Sequence, residues 1–223
     1  MQLISHRGAA GIAEQNSYDA IQKAKAYNPA CIEIDVHRTS DGVFIVFHGE
    51  IKQTYTGNDR SETFEQLKAL HPHLLRLDEL LVKDDASCPF MFDIKCNDSI
   101  DDLITFLKEA TMPSNVFFTA PHIEAIIQLK KAFPTAKTFV AQKFIAGPFK
   151  AHQLATKHHL DGVSLSKWWL NPITYRLCIR NQKHLMIYTV DSLLGMKIIN
   201  KLYDRVMLCT NYPNRFVSAF SKK

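Results

Sequence analysis

The stretch Cys31-Ile32-Glu33-Ile34-Asp35-Val36 decides the fold. It is short, rich in β-branched residues and bounded by polar ones, which reads as a strand. A strand's period of two puts Glu33 and Asp35 on one face. Six residues later, past the turn signal Ser40-Asp41-Gly42, comes a second strand pattern, Val43–Phe47. A parallel crossover needs about a dozen residues or more, so this second run is expected to be a local hairpin or a bent extension. Working outward, the strand patterns are Leu3–Ser5, Phe90–Ile94, Val116–Thr119, Thr138–Ala141, Gly162–Leu165, Leu185–Val190 and Val206–Cys209. Amphipathic helical patterns lie between most of them: Ser17–Tyr27, Asp98–Glu109, His122–Phe133, Asn171–Arg180 and Ser192–Tyr203. Asn16 or Ser17 is placed to cap the first, capping being favoured for Asn16 over orienting His6, and Asn97 or Asp98 is placed to cap the second. Such alternation gives a parallel sheet with helices outside. With the hairpin arm set aside, eight strands remain, enough for an α/β fold of the (β/α)8 TIM-barrel type. Neither G-x-G-x-x-G nor a Walker sequence supports an open doubly wound sheet. One domain over 1–223 is expected, with a polar loop-plus-helix insertion at about 49–81 after the second strand region. Gly147-Pro148 reads as a turn between Phe144 and Phe149.

The 223 residues are 46% hydrophobic and 22% charged, an ordinary globular composition. The longest apolar runs fall far short of the roughly 20 residues that span a bilayer, so no integral membrane segment is expected. No signal-peptide pattern opens the chain, which predicts a cytoplasmic protein. Five cysteines without a C-x-x-C pair predict reduced core thiols. The net charge of +5 fits an anionic partner. Lys and Arg are spread along the chain without forming a stripe, so a small phosphate-bearing molecule is expected rather than nucleic acid.

A parallel barrel carries its site at the carboxyl ends of the strands. There the sequence places His6-Arg7-Gly8, Glu33 and Asp35, His48, Asp93 and Lys95, Asp191, and Thr210-Asn211. Three converging carboxylates repel one another unless a cation holds them, and oxygen-only ligation suits Mg²⁺ or Ca²⁺ better than zinc. Two histidines can serve as general acid and base, while Arg7 and Lys95 can neutralise phosphate oxygens. The set describes metal-assisted phosphodiester cleavage. The plainer alternative is a structural ion network of Glu33, Asp35 and Asp93 with Arg7 and Lys95, and a surface role for His48. Trp168 and Trp169 follow the Gly162–Leu165 strand and form a possible substrate pocket for a choline-like cation or an acyl chain, or else pack against a helix.

The segments His6-Arg7-Gly8, Gln15-Asn16-Ser17, Ile32–Val36, Thr39–Gly42 and Val46-Phe47-His48 resemble the N-terminal signature of the glycerophosphodiester phosphodiesterase family. Asp93-Ile94-Lys95, Tyr188–Asp191 and Thr210–Pro213 look like its later motifs. The resemblance implies a TIM barrel, His6 and His48 as the acid/base pair, and Glu33, Asp35 and Asp93 as divalent metal ligands. It also implies Arg7 and Lys95 as phosphate contacts, and hydrolysis of a glycerophosphodiester substrate to glycerol 3-phosphate and an alcohol. The chain departs from the family pattern at several positions. Asp93 and Gln15 each stand where Glu is usual, Gly49 and Asn211 where Asp is usual, and Tyr188 replaces a frequent Trp. Lysophospholipase D, a phospholipase C-like enzyme and a non-catalytic phosphoester-binding relative are the alternatives that these departures leave open.

Overall fold

Eight short parallel strands close on themselves into a barrel in this computed structural model, which describes residues 1–49, 62–110, 115–141 and 147–220. They are β1 (Gln2–Ser5), β2 (Cys31–Arg38), β5 (Phe90–Ile94), β6 (Phe117–Ala120), β7 (Lys137–Ala141), β8 (Gly162–Ser166), β9 (His184–Tyr188) and β10 (Val206–Thr210). They pair in the order β1-β10-β9-β8-β7-β6-β5-β2. Pairing of Ile4 with Cys31 and of Ser5 with Ile32 joins β1 to β2 and seals the ring.

The second run after Cys31–Val36 is β3 (Phe44–Val46), antiparallel to β2 with Val36 opposite Val46. The hairpin reading therefore holds, and its physical reason is the short connection. Thr39 closes the turn, its N–H donating to the Val43 carbonyl at 2.9 Å and its hydroxyl accepting from the Val43 N–H at 3.0 Å. Gly42, at φ +85°, takes the left-handed conformation the turn requires. A two-residue strand, β4 (Leu75–Arg76), adds to β3. Of the polar segment at 49–81, residues 50–61, including Lys52–Asp59, lie outside the described residues. The described remainder forms α2 (Phe64–Leu70) and the start of α3 (Leu77–Lys83). Leu77, Leu80 and Leu81 of α3 are buried in the large outer cluster, and α3 packs against β3 and β4.

The other outer helices are α1 (Tyr18–Lys25), α4 (Ile100–Glu109), α5 (Ile123–Ala132), α6 (Gly147–Lys157), α7 (Pro172–Arg180), α8 (Leu193–Leu202) and α9 (Pro213–Phe220). Asn171 caps α7 and Ser192 caps α8 through their side-chain oxygens, as their positions predict. Of the two candidates for α1, Ser17 is the cap, because the Asn16 side chain is turned inward. The start of α4 is corrected: it begins at Ile100 with Ser99, not Asn97 or Asp98, at its N-cap position and no cap bond from the Ser99 side chain. Gly147-Pro148 is likewise not a free-standing turn but the first turn of α6, where proline's missing N–H costs nothing. The buried face of α6 consists of Pro148, Ala151, His152 and Ala155, too weak an apolar signal to mark a helix by periodicity. Phe144 lies outside the described residues.

The core has two parts. Between sheet and helices lies a large aliphatic and aromatic shell that includes Ile32, Ile34, Phe92, Phe118 and Leu129. Inside the barrel lies a smaller floor: Ile4, Cys31, Met91, Phe117, Phe139, Met186, Met207 and Cys209. Gly162 leaves room for that floor, since a Cβ there would sit 2.7 Å from the Phe139 ring and 2.5 Å from the His184 carbonyl oxygen. All five cysteines are free and buried. Among the described residues no helix is long and apolar enough to cross a membrane.

Candidate active site

Inward-pointing residues recur every second position along a strand. One step above the floor, the barrel presents His6 above Ile4, Glu33 above Cys31, Asp93 above Met91, Thr119 above Phe117, Ala141 above Phe139, Ser164 above Gly162 and Tyr188 above Met186. All seven line one cavity of about 390 Å³ at the carboxyl ends of the strands, together with Arg7, His48 and Lys95. The same twofold repeat that buries the floor thus builds the site.

Glu33, Asp35 and Asp93 each offer a carboxylate oxygen, and these oxygens lie within 4.8 Å of one another. Asp35 is 1% exposed and heavily partnered. Its Oδ2 lies 3.0 Å from Arg7 Nε and 3.3 Å from His48 Nδ1, and its Oδ1 lies 3.1 Å from Lys95 Nζ. Asn16 grips the same residue from behind: its Nδ2 donates to Oδ2 at 3.0 Å, and its Oδ1 accepts the Asp35 backbone N–H at 3.2 Å. Burial pushes the Asp35 carboxyl up, but the His48 hydrogen bond and the Lys95 and Arg7 charges outweigh it and hold the group well below the usual carboxylate range.

Its two neighbours behave oppositely. Burial, reinforced by the Asp35 and Asp93 charges, pushes Glu33 well up, although its Oε2 accepts the Arg7 backbone N–H at 2.8 Å. Burial also raises Asp93, with Asp35 adding to it, despite an ion pair with Lys95. Burial alone would lower Lys95, but Asp93 and Asp35 hold it above its ordinary value. Three carboxylates this close repel one another and are stripped of water, so two of them are raised while the best-paired one is lowered. Asp93 Oδ1 is buried without a hydrogen-bond partner. An all-oxygen set with an orphaned buried oxygen fits a hard divalent cation.

The two histidines approach from different sides. His6 Nδ1 lies 2.7 Å from Asn211 Oδ1. The Asn211 amide is oriented in turn, since its Nδ2 donates to Asp191 Oδ2 at 2.8 Å. With that amide oxygen as acceptor, Nδ1 carries the hydrogen and Nε2 carries the lone pair, 3.9 Å from Glu33 Oε2. Burial and the nearby Arg7 charge lower the His6 pKa to about 4. His48 is 41% exposed and sits at the mouth. Arg7 takes the left-handed conformation at φ 50°, followed by Gly8 at φ +76°. A Cβ on Gly8 would meet the Ala20 backbone at 2.7 Å, so the turn that presents His6 and Arg7 requires glycine there. Arg7 Nη1 also donates to Gln15 Oε1 at 2.8 Å.

His6, Arg7, Glu33, Asp35, His48, Asp93 and Lys95 are therefore brought together as expected. Trp168 and Trp169 are not among the residues lining the cavity; they occupy a short 3₁₀ turn, Lys167–Trp169, at 84% and 42% exposure. Sequence reasoning assigned Asn211 and Asp191 no part in positioning these groups, and set an orienting part for Asn16, toward His6, below capping. Asn16 looks like a helix cap by position, and only its positive φ of 58° and its contact with Asp35 reveal the other role.

A closed βα barrel with carboxylates, histidines and cations gathered at its strand ends defines a barrel of the phosphoester-handling kind. The model of the "Glycerophosphoryl diester phosphodiesterase family" matches residues 6–216, and the chain belongs to that family. The glycerophosphodiester phosphodiesterase of Caldanaerobacter subterraneus subsp. tengcongensis is 24% identical over 215 residues, which cover 85% of each chain. Human glycerophosphodiester phosphodiesterase 1 is 36% identical over 81 residues, 34% of this chain. The match spans about a quarter of that relative's length, 24%. Among solved structures, an Oleispira antarctica phosphodiesterase in complex with the product sn-glycerol-3-phosphate superposes with a TM-score of 0.79 at 18% identity, covering 100% of this chain and 97% of that one. Glycerophosphodiester phosphodiesterase from Thermotoga maritima gives a TM-score of 0.78 at 17% identity, covering 98% and 97%.

Proposed function

We propose that this chain hydrolyses a glycerophosphodiester to glycerol 3-phosphate and an alcohol. The observation that carries this reading is the convergence of Glu33, Asp35 and Asp93 within 4.8 Å, in a cavity that also holds His6, His48, Arg7 and Lys95. Glu33, Asp35 and Asp93 would hold a divalent cation, Mg²⁺ or Ca²⁺, which when bound supplies Lewis-acid polarisation of the phosphoryl group. Lys95 and Arg7 bind the remaining phosphate oxygens. His6 Nε2 takes the proton from the attacking oxygen, either a water or the substrate's own glycerol hydroxyl. Water gives glycerol 3-phosphate directly; the hydroxyl gives a cyclic phosphate that a water then opens to glycerol 3-phosphate. The bond from phosphorus to the leaving oxygen breaks, and His48 delivers the proton that makes it an alcohol. Asn211 fixes the tautomer that leaves His6 Nε2 free to accept. The Oleispira antarctica structure, which holds sn-glycerol-3-phosphate, supports this substrate class. Five buried free thiols support a reducing, cytoplasmic setting.

Release of glycerol 3-phosphate from glycerophosphocholine and glycerophosphoethanolamine, with EDTA, Mg²⁺ or Ca²⁺ added, tests the reading. Turnover that EDTA abolishes is expected. Tight binding of either compound without turnover under every metal would replace it with the non-catalytic alternative.

A further inference from the structure

The active-site mouth is flanked on one side by a surface that the reaction does not use. β7, β8 and β9 are neighbours in the barrel, and the segments after their carboxyl ends lead into α6, α7 and α8. Each described segment begins with exposed apolar side chains: Phe149 at 57%, Trp168 at 84%, Ile173 at 66% and Leu194 at 69%, with Trp169 and Leu193 between them. Isolated exposed apolar residues are ordinary, but an arc over three successive βα units on the catalytic end is an interaction surface.

Charge identifies the occupant. Cations are spread evenly along the chain, but acids are not. Residues 147–202 contain eight Lys and Arg and only two acidic residues, a net +6 where the whole chain carries +5. Neither acid is free: Asp161 pairs with Lys130, and Asp191 is bonded to Thr210 and Asn211. Lys150, Lys167 and Lys197 are exposed in the same segments as the apolar residues, with Lys167 Nζ 5.3 Å from the Trp168 ring centroid. Aromatic and aliphatic side chains interspersed with lysines match an interface of acyl boundary and anionic headgroups.

We infer that the β7–β9 side of the catalytic face docks reversibly on an anionic lipid surface, with the cavity mouth held against the membrane. Given the proposed hydrolysis, on which only this consequence rests, docking would present phosphodiesters of lipids with one remaining acyl chain to the cavity.

The chain contains two tryptophans, Trp168 and Trp169, so intrinsic tryptophan fluorescence reports this surface alone. Vesicles of phosphatidylcholine containing phosphatidylglycerol should shift that emission to the blue and co-sediment the protein, while vesicles of phosphatidylcholine alone should bind it about 10-fold or more weakly. Leu194→Ser with Ile173→Ser should reduce partitioning by on the order of 10-fold and leave hydrolysis of soluble glycerophosphocholine unchanged. Lys167→Ala should reduce it roughly fivefold. Absence of both the blue shift and co-sedimentation would overturn the inference. So would equal binding to both vesicle types, or a dimer in sedimentation velocity that buries Leu194 with Ile198 and Leu202. Vesicle binding by a protein inert toward every phosphodiester would leave the surface standing and remove the proposed reaction instead.

Discussion

Two arcs of one barrel differ in what they contribute. On β1, β2 and β5 the inward positions above the floor are His6, Glu33, Asp35, Asp93 and Lys95, and the hairpin after β2 adds His48. On β6, β7 and β8 the equivalent positions are Thr119, Ala141 and Ser164. The backbone geometry of the two arcs is alike, with parallel strands and the same twofold alternation. One arc crowds ionisable groups until their charges must compensate one another; the other withholds side-chain volume. The difference teaches that a site of this kind needs an empty half, because the reacting groups act only on a substrate that has room to lie against them.

The most damaging way to break the comparison is on the charged arc. His6→Ala and His48→Ala should each lower kcat by on the order of 100-fold or more in the glycerol 3-phosphate release assay. A near-normal rate in either variant would remove that residue from the mechanism. Filling the empty arc should cost less. Ala141→Phe should lower kcat/KM by roughly 10- to 100-fold through a displaced substrate while leaving Mg²⁺ or Ca²⁺ affinity, read by calorimetry, unchanged. An equal loss of cation affinity would mean that the two arcs are not separable. Asn211→Leu sharpens the charged arc: a drop of about 10-fold in kcat is expected, with imidazole nitrogen chemical shifts of His6 reporting loss of the Nδ1–H tautomer.

Smaller effects follow from protonation. Glu33 and Asp93 are raised above their ordinary values without a cation, and a bound cation favours their charged forms. Divalent binding should therefore release protons over the pH range where they titrate and tighten as pH rises through it, measurable by calorimetry in buffers of different ionisation enthalpy. The folded-state pKa of His6 lies below its ordinary value, at about 4 against 6.5. Between these pH values the unfolded chain binds a proton that the folded chain does not, so stability falls as pH falls through that window. His6→Gln should flatten this part of the Tm–pH curve, and an unchanged slope would assign it to other groups.

The legibility of these features was uneven. Glu33 and Asp35 could be read from Ile32–Val36 because strand alternation is local, and Val43–Phe47 could be read as a hairpin arm because six residues cannot make a crossover. α6 could not be read, since its buried face is mostly alanine and its first turn is Gly147-Pro148. Asn16 was misread because a cap and an inward clamp occupy adjacent positions and look alike in sequence.

By itself the sequence determined the alternation of strands and helices, the carboxylates, histidines and cations at strand ends, and the family signature they spell. These depend on short-range periodicity and on residue identity. Only the tertiary structure decided that Asp35 is the carboxylate held charged while Glu33 and Asp93 are pushed up, because that depends on which cations lie within about 3 Å of which oxygen. Likewise, the linkage of Asp191 through Asn211 to His6 spans 205 positions of the chain in its last step, from Asn211 to His6. Barrel closure brings β1 beside β10, and no local pattern could have set that register.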